Sequence, residues 1–193
     1  FSSVDGGGVR CSLGADVSVV NCVFVGNCAQ RRGGAIHCSN NSNVEVFNCV
    51  LNGNSAGLDG GAVNCIDNGT ATLTNCTLTA NSAQCGGAVR ILNNSTATLN
   101  SSILWNNDAS NSGDEIHADT STATLNRCCV ANDTGDYGGS GTIDDSNRCI
   151  HEDPQFIDAD GPDNQPGTPD DDLHLEAGSP CVDAGTTSVV PIW

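Results

Sequence analysis

A half-unit built on a glycine pair recurs through the first two-thirds of the chain, and no other feature limits the fold as strongly. It reads Gly7-Gly8-Val9-Arg10-Cys11, Gly33-Gly34-Ala35-Ile36-His37-Cys38, Gly60-Gly61-Ala62-Val63-Asn64-Cys65, Gly86-Gly87-Ala88-Val89-Arg90-Ile91 and, degraded, Gly113-Asp114-Glu115-Ile116-His117-Ala118. The starts at 7, 33, 60, 86 and 113 lie 26, 27, 26 and 27 residues apart, so the chain is a repeat protein.

A period of this length suits either a leucine-rich repeat or one coil of a parallel β-helix, and residue usage separates them. The unit is Thr, Val, Asn, Ser and Gly, with no Met in the chain and every base an Arg. Two-residue alternation is plain in Thr70-Ala71-Thr72-Leu73-Thr74, whereas apolar residues at helical spacing are absent. Short strands and turns fit this unit. Equivalent strands then pair one coil above another, about 4.8 Å apart, and each stacked position must tolerate its own kind as neighbour. The columns Val9/Ile36/Val63/Val89/Ile116, Val17/Val44/Ala71/Ala97/Ala123, Val19/Val46/Leu73/Leu99/Leu125 and Phe24/Leu51/Leu78/Leu104/Val130 satisfy that demand. A further column, Asn27/Asn54/Asn81/Asn107, belongs at a turn, where stacked amides hydrogen-bond to one another and to bent backbone.

The Gly-Gly-Ala-Ile motif, with Asn21-Cys22-Val23-Phe24-Val25-Gly26-Asn27, resembles extracellular right-handed parallel β-helix proteins, including polymorphic outer-membrane-type surface proteins and pectate-lyase-like solenoids. Asp153-Pro154-Gln155-Phe156-Ile157-Asp158 and Gly178-Ser179-Pro180-Cys181-Val182-Asp183-Ala184-Gly185 are similar to the end of the solenoid in secreted bacterial members. The resemblance implies an all-β, right-handed parallel β-helix of about five to six coils, secreted or displayed on a cell surface. It implies little about chemistry, because the fold hosts unrelated functions. Residues 1–131 are expected to form the coils. Residues 132–193 are expected to hold a long Gly/Asp/Ser loop up to Cys149, an acidic segment, a last strand over Asp172-Leu173-His174-Leu175-Glu176 and a tail.

Six basic against 23 acidic residues give a net charge of −17, which argues against nucleic acid and anionic membrane surfaces as partners. No segment is long and apolar enough to insert into a membrane, and Phe1 in place of Met points to a processed or trimmed start. Twelve of the acids lie from Asp144 onward, where Arg148 is the only base. Within that stretch Asp158, Asp160, Asp163, Asp170 and Asp172 are candidate ligands for a structural Ca²⁺, which takes six to eight oxygens. The alternative is a solvated acidic loop.

Twelve cysteines suit an oxidising compartment. Cys11, Cys38 and Cys65 stack in one column, Cys22, Cys49 and Cys76 in another, at a spacing compatible with disulfides. Each run of three leaves one thiol over, so buried free thiols acting as small hydrophobes compete with that reading. Cys149 and Cys181 could clip the terminal section. Metal binding by the ladders is disfavoured, since their spacing does not bring four ligands to a point.

Three surfaces are candidates for binding. Arg10, His37, Asn64, Arg90 and His117 form an outward column resembling the sugar-binding face of β-helix lyases and hydrolases, with Asp59 and Asp114 beside it but no convergent acid pair. Thr70/Thr72, Thr96/Thr98 and Thr122/Thr124 make a two-column array of the ice-binding kind, limited to three coils. Sequons at Asn40, Asn68, Asn94 and Asn132 are glycosylation candidates if the source modifies secreted proteins. The favoured function is structural or adhesive: copies stack head to tail, with Val189, Val190, Ile192 and Trp193 of one covering the open first coil around Val4, Val9 and Val17 of the next. The alternative is a polysaccharide-binding or polysaccharide-cleaving module.

Overall fold

The computed structural model describes residues 3–131 and 133–185. Among these there is no helix, and the strands wind into a solenoid whose sheets run along the stacking direction. Sheet A contains Ser3–Asp5, Cys28–Arg32, Ser55–Ala56, Ser82–Cys85 and Asp108–Ser112. Sheet B contains Val9–Cys11, Ile36–Ser39, Val63–Ile66, Val89–Leu92, Ile116–Asp119 and Tyr137–Gly138. Sheet C contains Asp16–Val20, Asn43–Phe47, Thr70–Thr74, Thr96–Asn100, Thr122–Asn126 and Thr142–Asn147. Sheet D contains Val23–Val25, Val50–Asn52, Thr77–Thr79, Ile103–Trp105 and Cys129–Val130. All pairing within these sheets is parallel, with each strand between its counterparts one coil earlier and one coil later.

The columns read from the sequence are the register of the structure. Val63 pairs with Ile36 and Val89, Leu73 with Val46 and Leu99, and Leu78 with Leu51 and Leu104. Alternation turns these residues inward, where Ile36, Val63, Leu73, Leu78, Leu99 and Ile116 are fully buried in one continuous narrow core. One alignment shifts. The first pair in register is Gly6-Gly7, because Gly6 has a positive φ of 71° to match the 65° of Gly33, and Gly7 lies under the Gly34 carbonyl. The second glycine of a pair leaves no room for a side chain, since a Cβ on Gly61 would stand 2.2 Å from the Gly87 carbonyl oxygen.

The asparagine column is a buried hydrogen-bond ladder. The Asn54 side chain donates to Asn81 Oδ1 at 2.9 Å, and that of Asn81 to Asn107 Oδ1 at 2.8 Å. Each amide also reaches the strand above, as in Asn81 Nδ2 to the Leu51 carbonyl at 2.9 Å. The ladder ends on Glu115, whose carboxyl accepts from the Asn107 side chain at 2.6 Å. Burial raises that carboxyl from 4.5 to about 8.

Two expectations for the end of the chain are corrected. The stretch before Cys149 is not a long loop but a sixth coil: Tyr137 pairs with Ile116, Ile143 with Ala123 and Asn147 with Asn126. Those pairs are 21, 20 and 21 residues apart, so the coil is shorter than the repeat and its periodicity is hidden. Asp172–Leu175 forms a strand, but it pairs antiparallel with Phe156–Asp158 as a hairpin rather than as a last coil. This terminal section lies on sheet D. Its Gly167 meets Gly53 so closely that a Cβ on Gly53 would stand 2.0 Å from the Gly167 carbonyl oxygen. Asn52 Nδ2 ties it down by donating to Asp171 Oδ2 at 2.8 Å and to the Thr168 carbonyl at 3.2 Å. The tail residues Val189, Val190, Ile192 and Trp193, and the sequon Asn132, lie outside the described residues.

Candidate functional site

The column Arg10, His37, Asn64, Arg90 and His117 is stacked in register on sheet B, as expected. It is not an exposed face. His37, Asn64, Arg90 and His117 are between 0 and 8% exposed, and of the five only Arg10 faces solvent openly. The physical reason is the sharp bend at the glycine pair, which brings the sheet A column Arg32, Asp59, Cys85, Ser112 against it. Asp59 accepts from Arg32 Nε at 3.1 Å and from Arg90 Nε at 3.2 Å. Arg90 Nη2 donates to Asp119 Oδ2 at 2.8 Å, and His117 Nε2 lies 3.2 Å from the same oxygen. Asp119, not Asp114, is thus the second carboxylate of the column. Asp114 is spent on its own turn, accepting from the Ala109 N–H.

This network limits the chemistry. The bond from Arg90, with help from Ser140, holds Asp119 well below the ordinary carboxylate range, so it stays ionised. A carboxylate held ionised cannot deliver a proton to a leaving group. Burial lowers His37, which is neutral at physiological pH. Among the described residues, His37 Nδ1, both amide atoms of Asn64 and Arg90 Nη1 find no hydrogen-bond partner.

The cysteine ladders are in register, Cys11 beside Cys38 and Cys38 beside Cys65, and all twelve cysteines are free thiols. Contact with the neighbouring sulfur, then burial, raises Cys65, Cys76, Cys128 and Cys129 and keeps them protonated. Cys149 sits against Cys128, and Cys181 against Cys129, so any clip of the terminal section joins Cys129 to Cys181 rather than Cys149 to Cys181.

In the acidic segment the carboxylates serve their own loop. Asp163 Oδ1 accepts from the Gln165 N–H, Asp170 Oδ1 from Thr168 Oγ1, and Asp172 Oδ1 from His174 Nδ1 at 2.6 Å. Asp158 lies next to Asp160, and lost hydration and then that neighbour raise its carboxyl. Among the described residues no three Asp, Glu, His or Cys side chains gather at one point as ligands. On sheet C the threonine columns are in register, bounded by Glu45 above and Asp144 below Thr124. Asn40, Asn68 and Asn94 stand exposed at turns with positive φ.

Residues 21–39 match the Chlamydia polymorphic membrane protein repeat. No curated protein and no solved structure matches the chain. The matched repeat runs from the turn at Asn21 through Val23–Val25, the ladder residue Asn27 and Cys28–Arg32 to the glycine pair and Ile36–Ser39. The matched residues thus include features that recur coil by coil in this chain: a rung of the amide ladder, the Cys22 position and the glycine bend. With the parallel solenoid, this match supports the resemblance read from the sequence.

Sequence reading missed what joins the terminal section to the coils: Asn52, Gly53, Gly167 and Asp171. The only signal was local. Asn52 replaces the Val25 of the preceding coil on an outward position, a polar residue where a half-buried β-branched one stood.

Proposed function

We propose that this chain is a non-catalytic, surface-displayed scaffold of the adhesin kind, and that its first coil receives a further solenoid layer from another copy. The observation that carries the reading is the first coil itself. Ser3–Asp5, Val9–Cys11, Asp16–Val20 and Val23–Val25 each form the outermost strand of their sheet, with Val4 49%, Leu13 85% and Val23 69% exposed. Among the described residues these are the edge strands, and an apolar strand edge is a template for more strand. The match to a membrane protein repeat supports a cell-surface position, and no described helix is long and apolar enough to cross a membrane. The ion network on the former ligand face supports a structural role over a catalytic one.

Electron microscopy of the natively isolated protein tests the assembly. Filaments with an axial repeat of about 29 Å, six coils at the strand spacing, are expected. Their loss on truncation after Gly185 would assign the tail. Dispersed particles at every concentration would overturn the assembly.

A second reading, glycan binding, is favoured by one recess. Trp105 and Phe156 line it with Asp153 and Glu176 in about 300 Å³, an aromatic and acceptor set absent from the Arg10 to His117 column. Pull-down on insoluble polysaccharides, lost in Trp105→Ala, is the expected result; equal retention of both forms would exclude the recess.

A further inference from the structure

Between the outer face of sheet D and the terminal section lies a cavity of about 490 Å³, a volume in the range of small-molecule sites. Val23, Val25 and Val50 give it an apolar floor, and Asn52, Asp172 and His174 give it polar groups. Which of its polar atoms are already satisfied decides what it could hold. Asp171 is committed to its own loop: its Oδ2 accepts from Asn52 Nδ2, Gly167 N–H and Thr168 N–H at 2.8, 2.7 and 3.2 Å, and its Oδ1, 3.0 Å from Thr168 Oγ1, shares that hydroxyl with Asp170 Oδ1 at 2.6 Å. Asn52 has spent both donors of its amide on that wall, while its Oδ1 has no partner among the described residues although Asn52 is only 2% exposed. Asp172 engages His174 through Oδ1 alone. The acceptors left over are one carbonyl oxygen and one carboxylate oxygen above an aliphatic surface, with the Thr77 hydroxyl and the His174 ring beside them.

We propose that this cavity binds an aliphatic ammonium group, carried by a free alkyl diamine or by a lysine side chain of a partner polypeptide. The ammonium offers three donors and no acceptor, which suits Asn52 Oδ1 and Asp172 Oδ2, and its methylene stem covers the valines. An anion meets the Asp172 carboxylate here, and a neutral diol leaves that carboxylate without a counter-charge. The net charge of −17 draws such a ligand in from a distance, so binding weakens as ionic strength rises.

Calorimetric titration of the full chain tests this with hexamethylenediamine, the acetylated amide of lysine and hexanediol as probes, at low and at physiological ionic strength. The two amines bind and the diol does not. Binding by the diamine alone assigns a free-amine ligand, and binding by the lysine amide assigns a polypeptide. Asp172→Asn weakens binding roughly tenfold, the scale of one charge-assisted hydrogen bond. Val23→Lys, at a position 69% exposed where the fold tolerates it, places its own ammonium at the mouth and abolishes binding. Asp144→Asn, on sheet C, leaves binding unchanged and separates the site from general polyanion attraction. Equal binding of diol and diamine, no binding by either amine, or unaltered affinity in both Asp172→Asn and Val23→Lys would overturn the proposal.

Discussion

Asn81 shows what a single side chain does in a stack. Its Oδ1 accepts from the backbone and side-chain amides of Asn54, both at 2.9 Å, and its Nδ2 donates to Leu51 and Asn107. Asn81→Ala would leave the Asn54 N–H buried without its acceptor and would remove the side-chain bonds to Leu51 and Asn107, whose Oδ1 keeps only the Asn81 backbone N–H, and we expect a loss of about 3 kcal/mol in urea unfolding. The foot of the same ladder sets a pH dependence. Glu115 holds its proton in the fold up to about pH 8, whereas the unfolded chain releases it near 4.5. The folded state therefore binds more protons across that window, and stability falls as pH rises through it. Thermal melts from pH 5 to 9 should show the fall, and Glu115→Gln should flatten it at a cost of about 1 kcal/mol, since its amide accepts only one of the two Asn107 donors. The ladder was legible because its residues recur as Asn, whereas Glu115 was not, because it stands in the column of Ala35, Ala62 and Ala88 and its role depends on the coil beneath.

At the scale of elements, what could be read is what repeats. Strand, register and inward face follow from columns such as Val46, Leu73, Leu99, because stacking forces like onto like. The sixth coil lacked that legibility, since Tyr137 and Ile143 occupy the same columns at a shortened spacing. The terminal hairpin lacked it altogether: alternation in Asp172-Leu173-His174-Leu175 announces a strand but not its partner. The burial of the His37 to His117 column also depends on a neighbour, sheet A, that the column itself does not encode. The docking of the hairpin is open to test at Gly53. Gly53→Ala places a Cβ within 2.0 Å of Gly167 and should free the terminal section, seen as new protease cleavage between Asp158 and Asp172 with the solenoid's circular dichroism kept. Gly26 occupies the same turn one coil earlier at φ 62° with nothing within 4 Å, so Gly26→Asn should leave cleavage unchanged.

For the whole molecule, charge and shape pull in opposite directions. A chain of net charge −17 repels its own copies, while the first coil, outermost of the described coils at that end, offers them strand edges and exposed Leu13 and Val23. End-to-end assembly should therefore lengthen as salt screens the repulsion, which light scattering across a salt series would register; shortening with salt would argue for ion pairing at the junction instead.

The terminal section also changes how such a solenoid comes apart. A stack in which each coil touches only its neighbours frays from an end, one layer at a time. Here one covalent segment meets Gly53 in the second coil, Ala80 in the third, Ser101 in the fourth and Cys129 in the fifth. It acts as a splint laid across the layers, so that no inner coil opens without releasing it. Amide hydrogen exchange should then report the second to fifth coils opening with a single free energy, and a graded series from either end once the splint is cut away after Ile150.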